Sequence, residues 1–278
     1  MRIPRTECLR RLRANIAEGK PILGVGAGMG LSAKCSEAGG ADLIVIYNSG
    51  RFRMAGRSSM SGRMPYGDAN AIVMDMAGEV LPIVKNLPVL AGVCGTDPFR
   101  VMPVFLKQLC EMQFSGVQNY PTVGLYAEGS DTRENLEASG MGFGLEVEMI
   151  RIARSLDMLT CSYVFTVNEA RMMAAAGADV LVAHMGLTTS GTIGARVAMS
   201  LDDAVERTQR IPDAGKEINP DVIVICHGGP IAEPDDVRYL MSHTDGIDGF
   251  FGASSIERLP VERAITQQVK DFKSIPLR

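Results

Sequence analysis

The feature that most restricts the fold of this chain is a series of eight short apolar or β-branched runs, each followed by a segment with helical periodicity. LIVI at residues 43–46 and VIVI at residues 222–225 contain no polar residue. Continuous rather than alternating apolarity is typical of strands that are buried on both faces of a parallel sheet. We therefore predict eight parallel strands, at residues 21–25, 42–47, 88–93, 116–118, 159–165, 179–184, 221–226 and 249–252.

Capping signals mark where the intervening helices begin and end. Thr166 and Glu169 have the spacing of a capping box, and Asp97 stands as a cap residue before Pro98. Gly177 ends another helical segment shortly before a strand. Eight β-then-α units in 278 residues fit a closed barrel better than an open sheet. The prediction is an α/β fold, a TIM (β/α)₈ barrel that forms one domain over residues 1–278.

The composition excludes several classes of partner. The net charge is −4, so there is no overall basic field to hold nucleic acid. No apolar stretch approaches the roughly 18 residues that span a bilayer, and the amino-terminal segment lacks the apolar core of a signal peptide. The six cysteines form no C-x-x-C pair, which favours a reducing compartment. We expect a cytoplasmic protein with no nucleic-acid or membrane partner.

The residues suited to chemistry directly follow the predicted strands, whose carboxyl ends form the functional rim of a barrel. His184 and His227 end neighbouring strands, and imidazole is suited to acid–base catalysis. A structural imidazole bonded to a backbone carbonyl would show the same pattern. We favour His227 as the proton-transfer residue because it precedes the Gly228-Gly229 turn. Asp97 ends the third strand and is a candidate acid or metal ligand as well as a cap.

Residues 49–67, which we call the arginine loop, contain four arginines and no acidic residue. Guanidinium groups match carboxylate and phosphate oxygens bidentately, so this loop is a candidate anion clamp. Arg51 and Arg53, nearest the strand end, are the favoured ligands. The glycines of the loop would let it close as a lid. A solvated loop or a subunit contact is the alternative.

Other strand ends add candidate ligand-binding groups. Gly228–Gly229 and Ser254–Ser255 follow strands seven and eight, where barrels often hold a phosphate with backbone amides. The turn after strand one fails the G-x-G-x-x-G spacing of a dinucleotide site, so we expect Gly28 to allow close approach of a ligand instead.

Polar side chains complete the set of candidates. Asn48, Asn119 and Tyr163 are predicted to form hydrogen bonds to the substrate. Glu146 and Glu148 fall on a predicted helix, where a solvated face or a pairing within the helix is expected. Two histidines alone do not define a metal site, and no third ligand has a telling spacing.

These rim segments together resemble the phosphoenolpyruvate hydrolase-like TIM-barrel family. The segments that carry the resemblance are GAGMGLSAK, DLIVIYNSGRFRMAGR, GVCGTDPF, GVQNYPTVGL, HMGLTTSGTIGA, CHGGPI and GFFGASSIERLP, and they extend over nearly the whole chain. The resemblance implies a relationship to barrels that handle phosphoenolpyruvate, phosphonopyruvate and other small oxo acids. Related phosphonopyruvate- and isocitrate-cleaving barrels bind Mg²⁺ through acidic clusters that include an Asp-x-Asp run, which this sequence lacks.

The function expected from these observations is a hydrolase or lyase that cleaves a C–C, C–P or P–O bond in a small oxo-acid-like anion. The alternative is a regulatory barrel that senses a small phosphorylated or carboxylate ligand without converting it. The cofactor stays unknown, with Mg²⁺ or another divalent metal open. Related barrels usually self-associate, so the resemblance implies a homo-oligomer.

Overall fold

Eight parallel strands pair in sequence order, and the eighth pairs with the first to close a barrel. The structure is a computed structural model that describes residues 2–196 and 199–277. The strands are β1 (Ile22–Ala27), β2 (Leu43–Ile46), β3 (Val89–Val93), β4 (Gly116–Asn119), β5 (Leu159–Val164), β6 (Val180–His184), β7 (Ile223–His227) and β8 (Gly249–Gly252). The predicted fold, an α/β domain with a closed TIM barrel, is confirmed, and each predicted strand lies within two residues of the observed one.

Helices surround the barrel and cover the outer faces of its strands. They are α1 (Arg5–Ala17), α2 (Gly30–Ala38), α3 (Asn48–Met54), α4 (Ala69–Val80), α5 (Met102–Glu111), α6 (Asp131–Ala138), α7 (Phe143–Ser155), α8 (Val167–Ala175), α9 (Leu201–Ile218), α10 (Pro234–Ser242) and α11 (Leu259–Lys273). Among the described residues, no helix is both long and apolar enough to cross a bilayer. Because both faces of each strand are covered, nearly every strand residue is buried, as the continuous apolar runs predict.

Three local expectations differ from the structure. The arginine loop is not irregular throughout, because α3 takes its first part and a 3₁₀ turn forms at Ser59–Arg63. Asp97 does not cap a helix: its carboxylate accepts the amide of Phe99, and α5 begins only at Met102. Glu146 is fully buried rather than solvated, because α7 directs its carboxylate toward the turn after β4.

Candidate ligand-binding site at the carboxyl rim

A small cavity of about 30 Å³ lies at the centre of the barrel, where the strands end. Its volume is close to that of one water molecule or one small polar group. The lining side chains come from the carboxyl ends of β2, β4, β5, β6, β7 and β8 and from the loops that follow them. They are Tyr47, Ser49, Arg53, Ser59, Tyr120, Tyr163, His184, Leu187, Thr188, His227, Ala253 and Ser254.

Three tyrosines form one wall of this rim cavity. Tyr47 and Tyr120 follow β2 and β4, and their ring centroids are 4.9 Å apart. Tyr163, on β5, lies 6.0 Å from Tyr120. A side chain at Gly92 on β3 would overlap the Cβ atom of Tyr47, and one at Gly26 on β1 would overlap its hydroxyl. These two glycines therefore make room for a protein ring rather than for a ligand.

Two histidines form the opposite wall. His184 and His227 are paired in register on β6 and β7, and their ring centroids are 4.6 Å apart. The amide of Gly186 donates to Nδ1 of His184 at 3.0 Å. Nδ1 of His227 lies 2.6 Å from the carbonyl oxygen of Phe251, which only accepts, so this nitrogen carries the proton. Within the described part of the chain, both rings form their hydrogen bonds through Nδ1 and neither through Nε2, and both histidines line the cavity.

The surroundings of these imidazoles keep them uncharged. Burial lowers the pKa of His227 to about 4. Burial, with a smaller contribution from His227, lowers the pKa of His184 well below its ordinary value. Because a group with such a low pKa accepts a proton weakly at neutral pH, these side chains are better hydrogen-bonding groups than general bases.

Arg53 lines the cavity, but its charge is already paired. Its side chain and that of Glu257 are 1% and 2% exposed and form an ion pair. The guanidinium also donates to the carbonyl of Gly26 at 3.0 Å, and Glu257 accepts the amide of Gly28 at 2.9 Å. Burial acts to lower the pKa of Arg53, but Glu257 outweighs it and the pKa is raised. Arg53 and Gly28, both predicted to bind the ligand, are thus engaged by Glu257.

The remaining arginines of the loop point in different directions. Arg51, two residues before Arg53 on α3, faces outward and pairs with Asp75, so the predicted clamp of Arg51 and Arg53 does not form. Arg63 stacks over the ring of Tyr126 at 4.4 Å. It forms no ion pair with any described residue, and its charge helps to lower the pKa of His184. Arg63 also lines an open depression of about 580 Å³ on the outer side of the loop.

The turn at Ser59–Arg63, which we call the lid turn, separates the rim cavity from this depression, since Ser59 lines the first and Arg63 the second. Two side chains from α3 hold it in place. Asn48 donates to the carbonyl of Gly62 at 2.9 Å, and Ser49 donates to the carbonyl of Ser59 at 2.8 Å. The hydroxyl of Tyr120 then donates to Ser49 at 2.7 Å. Asn48 thus binds the lid turn rather than facing the cavity.

Asn119 and Asp97, two further polar candidates, form hydrogen bonds to protein groups outside the cavity. Asn119 donates to Glu146 at 2.7 Å and accepts the amide of Tyr163, so it joins β4 to β5. Burial raises the pKa of Glu146 to about 7. Asp97 accepts hydrogen bonds from Asn70 at 2.9 Å and Arg100 at 3.0 Å. Neither Asn119 nor Asp97 lines the rim cavity.

The backbone candidates after β7 and β8 are only partly available. The amide of Gly229 donates to the carbonyl of Gly186 at 2.8 Å, so it is already engaged. Gly228 has a φ of +79°, and a Cβ there would overlap the same carbonyl. This turn therefore packs against the β6 loop. Ser254 lines the cavity, whereas Ser255, the next residue of the turn, does not.

The donor groups at this rim do not fit a divalent metal. Mg²⁺ prefers several oxygen ligands, mostly carboxylates and water. The carboxylates of Asp97 and Glu257 are both held by arginines. Over residues 2–196 and 199–277, no three His, Cys, Asp or Glu side chains come together as a ligand set.

The fold and the position of this cavity define a class of protein, the (β/α)₈ barrels with a polar cavity at the carboxyl rim. The barrel is similar to 2,3-dimethylmalate lyase, a PEP mutase/isocitrate lyase superfamily member, with a TM-score of 0.56 and 16% identity over 98% of this chain and 88% of that one. It is also similar to phosphonopyruvate hydrolase in complex with oxalate and Mg²⁺, with a TM-score of 0.56 and 15% identity over 97% and 92% of the two chains. At this identity the likeness concerns the fold.

The chain belongs to the phosphoenolpyruvate hydrolase-like family, whose model matches residues 7–275. It is 60% identical over 269 residues to the ToMV susceptible protein tm-1 of Solanum lycopersicum, which covers 97% of this chain and 35% of that protein. It is 36% identical over 275 residues to "Putative transcriptional regulatory protein y4pA" of Sinorhizobium fredii, covering 98% and 44%. The chain thus spans between about a third and a half of the length of these relatives.

Sequence reasoning missed several residues of this site, among them Tyr47, Tyr120, Ser49 and Glu257. Tyr47 is the last residue of a predicted strand and Tyr120 lies two residues beyond another, so their positions alone could have indicated the rim. Glu257 gives no such signal, because it lies in the turn that precedes α11 and pairs with a residue 204 positions away.

Proposed function

We propose that this chain is a regulatory barrel that binds a small carboxylate or phosphorylated ligand at the rim cavity and the lid turn. The observation that carries this proposal is Arg63, a cation without an ionic partner in the described chain, beside a cavity whose interior charges are paired. A charge-assisted hydrogen bond from such a guanidinium favours a carboxylate or phosphate over a neutral ligand.

The interior of the cavity supports the same ligand class. The charges of Arg53 and Glu257 neutralise one another, and both histidines are uncharged. The interior of the cavity therefore does not repel an anionic ligand or its polar substituent. Hydroxyls of Tyr47, Tyr163 and Ser254 add polar groups that rotate to donate or accept. A small ligand would place its anionic end against Arg63 and a polar substituent in the cavity after the lid turn moves.

Two observations favour regulation over turnover. The low pKa of His227 makes it a weak proton acceptor at neutral pH. The relatives at 36% to 60% identity bear names of a viral susceptibility protein and a transcriptional regulatory protein.

A second candidate function is a hydrolase or lyase that acts on a small oxo acid. The Nε2 atom of His227 favours it, because this unpartnered nitrogen faces the cavity and has a free lone pair. In that case His227 would take the proton released when water attacks or when a C–C bond breaks, and His184 would stabilise the developing charge.

Calorimetric titration separates the two functions. Pyruvate, phosphoenolpyruvate, oxalate and inorganic phosphate would be titrated into the wild-type protein and into Arg63→Ala. Each mixture would then be followed by ¹H and ³¹P NMR for conversion, with and without Mg²⁺. Binding that depends on Arg63 without conversion supports the regulatory barrel, and conversion supports the enzyme. If no acid or phosphate binds, both are wrong.

A further inference from the structure

We propose that the histidine pair selects a hydroxyl group of the ligand, so that the site takes small 2-hydroxy carboxylates in preference to the 2-oxo acids of the same skeleton. The inference rests on the proposed function, in that the ligand is taken to bind with its anionic end at Arg63. It goes further because it specifies the substituent that enters the cavity.

The two imidazole rings carry a fixed pattern of hydrogen-bond donors and acceptors. In a neutral imidazole one nitrogen donates and the other accepts. His227 uses its Nδ1 proton on the carbonyl of Phe251, so its Nε2 presents a lone pair. His184 accepts the amide of Gly186 on Nδ1, so its Nε2 carries the proton. The cavity is therefore faced by one acceptor and one donor.

Neither imidazole ring can exchange the donor and acceptor roles of its two nitrogens. Each tautomer is set by a backbone group of a buried strand end, and the two rings are 5% and 6% exposed. Phe165 and Tyr163 pack against the ring of His184 at centroid distances of 4.6 and 4.8 Å, which restricts its rotation. The hydroxyls of Ser49 and Tyr120 are engaged at the lid turn, and those of Tyr47, Tyr163 and Ser254 can rotate between donor and acceptor roles, so they impose no such pattern on a ligand.

A hydroxyl group of the ligand matches the donor and acceptor that the two histidines provide. Both rings line the same small cavity and their centroids are 4.6 Å apart, so the proposal places one small group against both Nε2 atoms. A hydroxyl donates to His227 and accepts from His184, which satisfies both nitrogens. A keto oxygen only accepts, so it would satisfy His184 and place its lone pairs against that of His227. The cavity volume of about 30 Å³ suits a group of this size.

Leaving a buried acceptor unsatisfied in this way weakens binding by a factor of roughly 10–100. We therefore expect the hydroxy acid to bind at least about tenfold more tightly than its oxo partner.

Matched pairs of acids test this in the wild-type protein. The pairs are lactate and pyruvate, malate and oxaloacetate, and 2-hydroxyglutarate and 2-oxoglutarate, with both enantiomers of each hydroxy acid. Calorimetry on the pair that binds most tightly should show the hydroxy acid favoured. An oxo acid that binds equally or more tightly overturns the hydroxyl selection and leaves the anion-binding function standing. If none of the six acids binds but phosphoenolpyruvate or inorganic phosphate does, the hydroxyl selection is overturned and the anion-binding function stands; if none of these binds, both are overturned.

Nitrogen-15 NMR of the imidazoles provides a second measurement that needs no ligand. The chain has three histidines, so the signals can be assigned with His243→Gln and His227→Phe. The proposal requires the proton on Nδ1 of His227 and on Nε2 of His184, and the reverse assignment of either ring would overturn it. In His227→Phe the preference for the hydroxy acid should fall to less than about threefold while the oxo acid binds as before, whereas His243→Phe should keep the full preference.

Discussion

The guanidinium of Arg53 and the carboxylate of Glu257 form an ion pair across the rim of the barrel, 204 residues apart in the chain. The pair joins α3, at the start of the arginine loop, to the turn that precedes α11. Since each partner also bonds to the backbone at the end of β1, three separate βα loops meet at this point. Arg53, which lines the cavity, therefore holds the rim together, and Arg63 is the cation that we propose for the ligand.

Glu257→Gln should destabilise the fold by about 3–5 kcal/mol, because it leaves the buried charge of Arg53 without its partner. Urea unfolding at pH 7.5 measures the change. Arg51→Ala is the matched control, since its ion pair with Asp75 is exposed to solvent and should contribute close to nothing. A loss below about 1 kcal/mol in Glu257→Gln would show that Arg53 is stabilised without this carboxylate.

Arg63→Ala should weaken the binding of small carboxylates or phosphates by about 1.5–3 kcal/mol, the contribution of a hydrogen bond to a charged group. Titration calorimetry checks this, with circular dichroism to confirm that the fold is intact. Arg57→Ala lies in the same loop but is exposed and removes the same net charge, so it should leave the affinity unchanged. Equal losses in the two variants would point to a general field effect instead of a specific contact.

The stability of the protein should fall in mild acid. Burial lowers the pKa of His227 from 6.5 to about 4, so between these values the unfolded chain binds more protons than the native one. The contribution of this group is complete above pH 6.5 and is lost as the pH falls toward 4, by about 3 kcal/mol. His184 acts in the same direction.

Glu146 opposes this trend in part. Its pKa is raised from 4.5 to about 7 by burial, so its contribution is complete below pH 4.5 and is lost as the pH rises toward 7. Burial also raises the pKa of Asp42 and of Glu169, but the large shifts of two histidines should still make the net free energy of unfolding rise from pH 4.5 to 6.5. Urea titrations across this range check the sign, and His227→Gln should flatten the curve while His243→Gln leaves its shape unchanged. A stability that is constant over the range would contradict the burial of the imidazoles.

Gly92→Ala should destabilise the fold by about 1–3 kcal/mol, because the added methyl group overlaps Tyr47 in a packed interior. The displaced ring should also weaken ligand binding. Gly78→Ala is the control: its Cβ would meet open space on α4, so the helix should gain up to about 1 kcal/mol. Thermal unfolding of both variants gives the comparison, and a neutral Gly92→Ala would mean that the wall of tyrosines is loosely packed.

The fold could be predicted because each strand is recognisable from local sequence. Runs such as residues 43–46 and 222–225 are apolar on both faces, and this is a property of the segment itself. The helix boundaries were less accurate. Thr166 accepts the amide of Glu169 as expected, but the carboxylate of Glu169 binds the amide of Phe165 instead of completing the box. Asp97 shows the same difficulty, since a residue before proline can cap a helix or form a turn.

The site could be predicted only as a location. His184 and His227 are brought together as neighbours, because adjacent strand ends necessarily meet. The direction of Arg51 and Arg53 could not be foreseen, because α3 turns the two side chains to different faces and only one of them meets Glu257. Partners separated by this distance in sequence depend on how the barrel closes, which no local pattern encodes.

The lid turn is held by two neutral hydrogen bonds, from Asn48 and Ser49, which opening of the turn in the proposed regulatory barrel would break. At about 1 kcal/mol each, they favour the closed form by about 2 kcal/mol, so roughly 3% of molecules would be open at any moment. A ligand that binds only the open form then shows an apparent affinity about thirtyfold weaker than its intrinsic one. Sequence changes at these two positions would therefore tune the ligand concentration at which the proposed regulatory barrel responds.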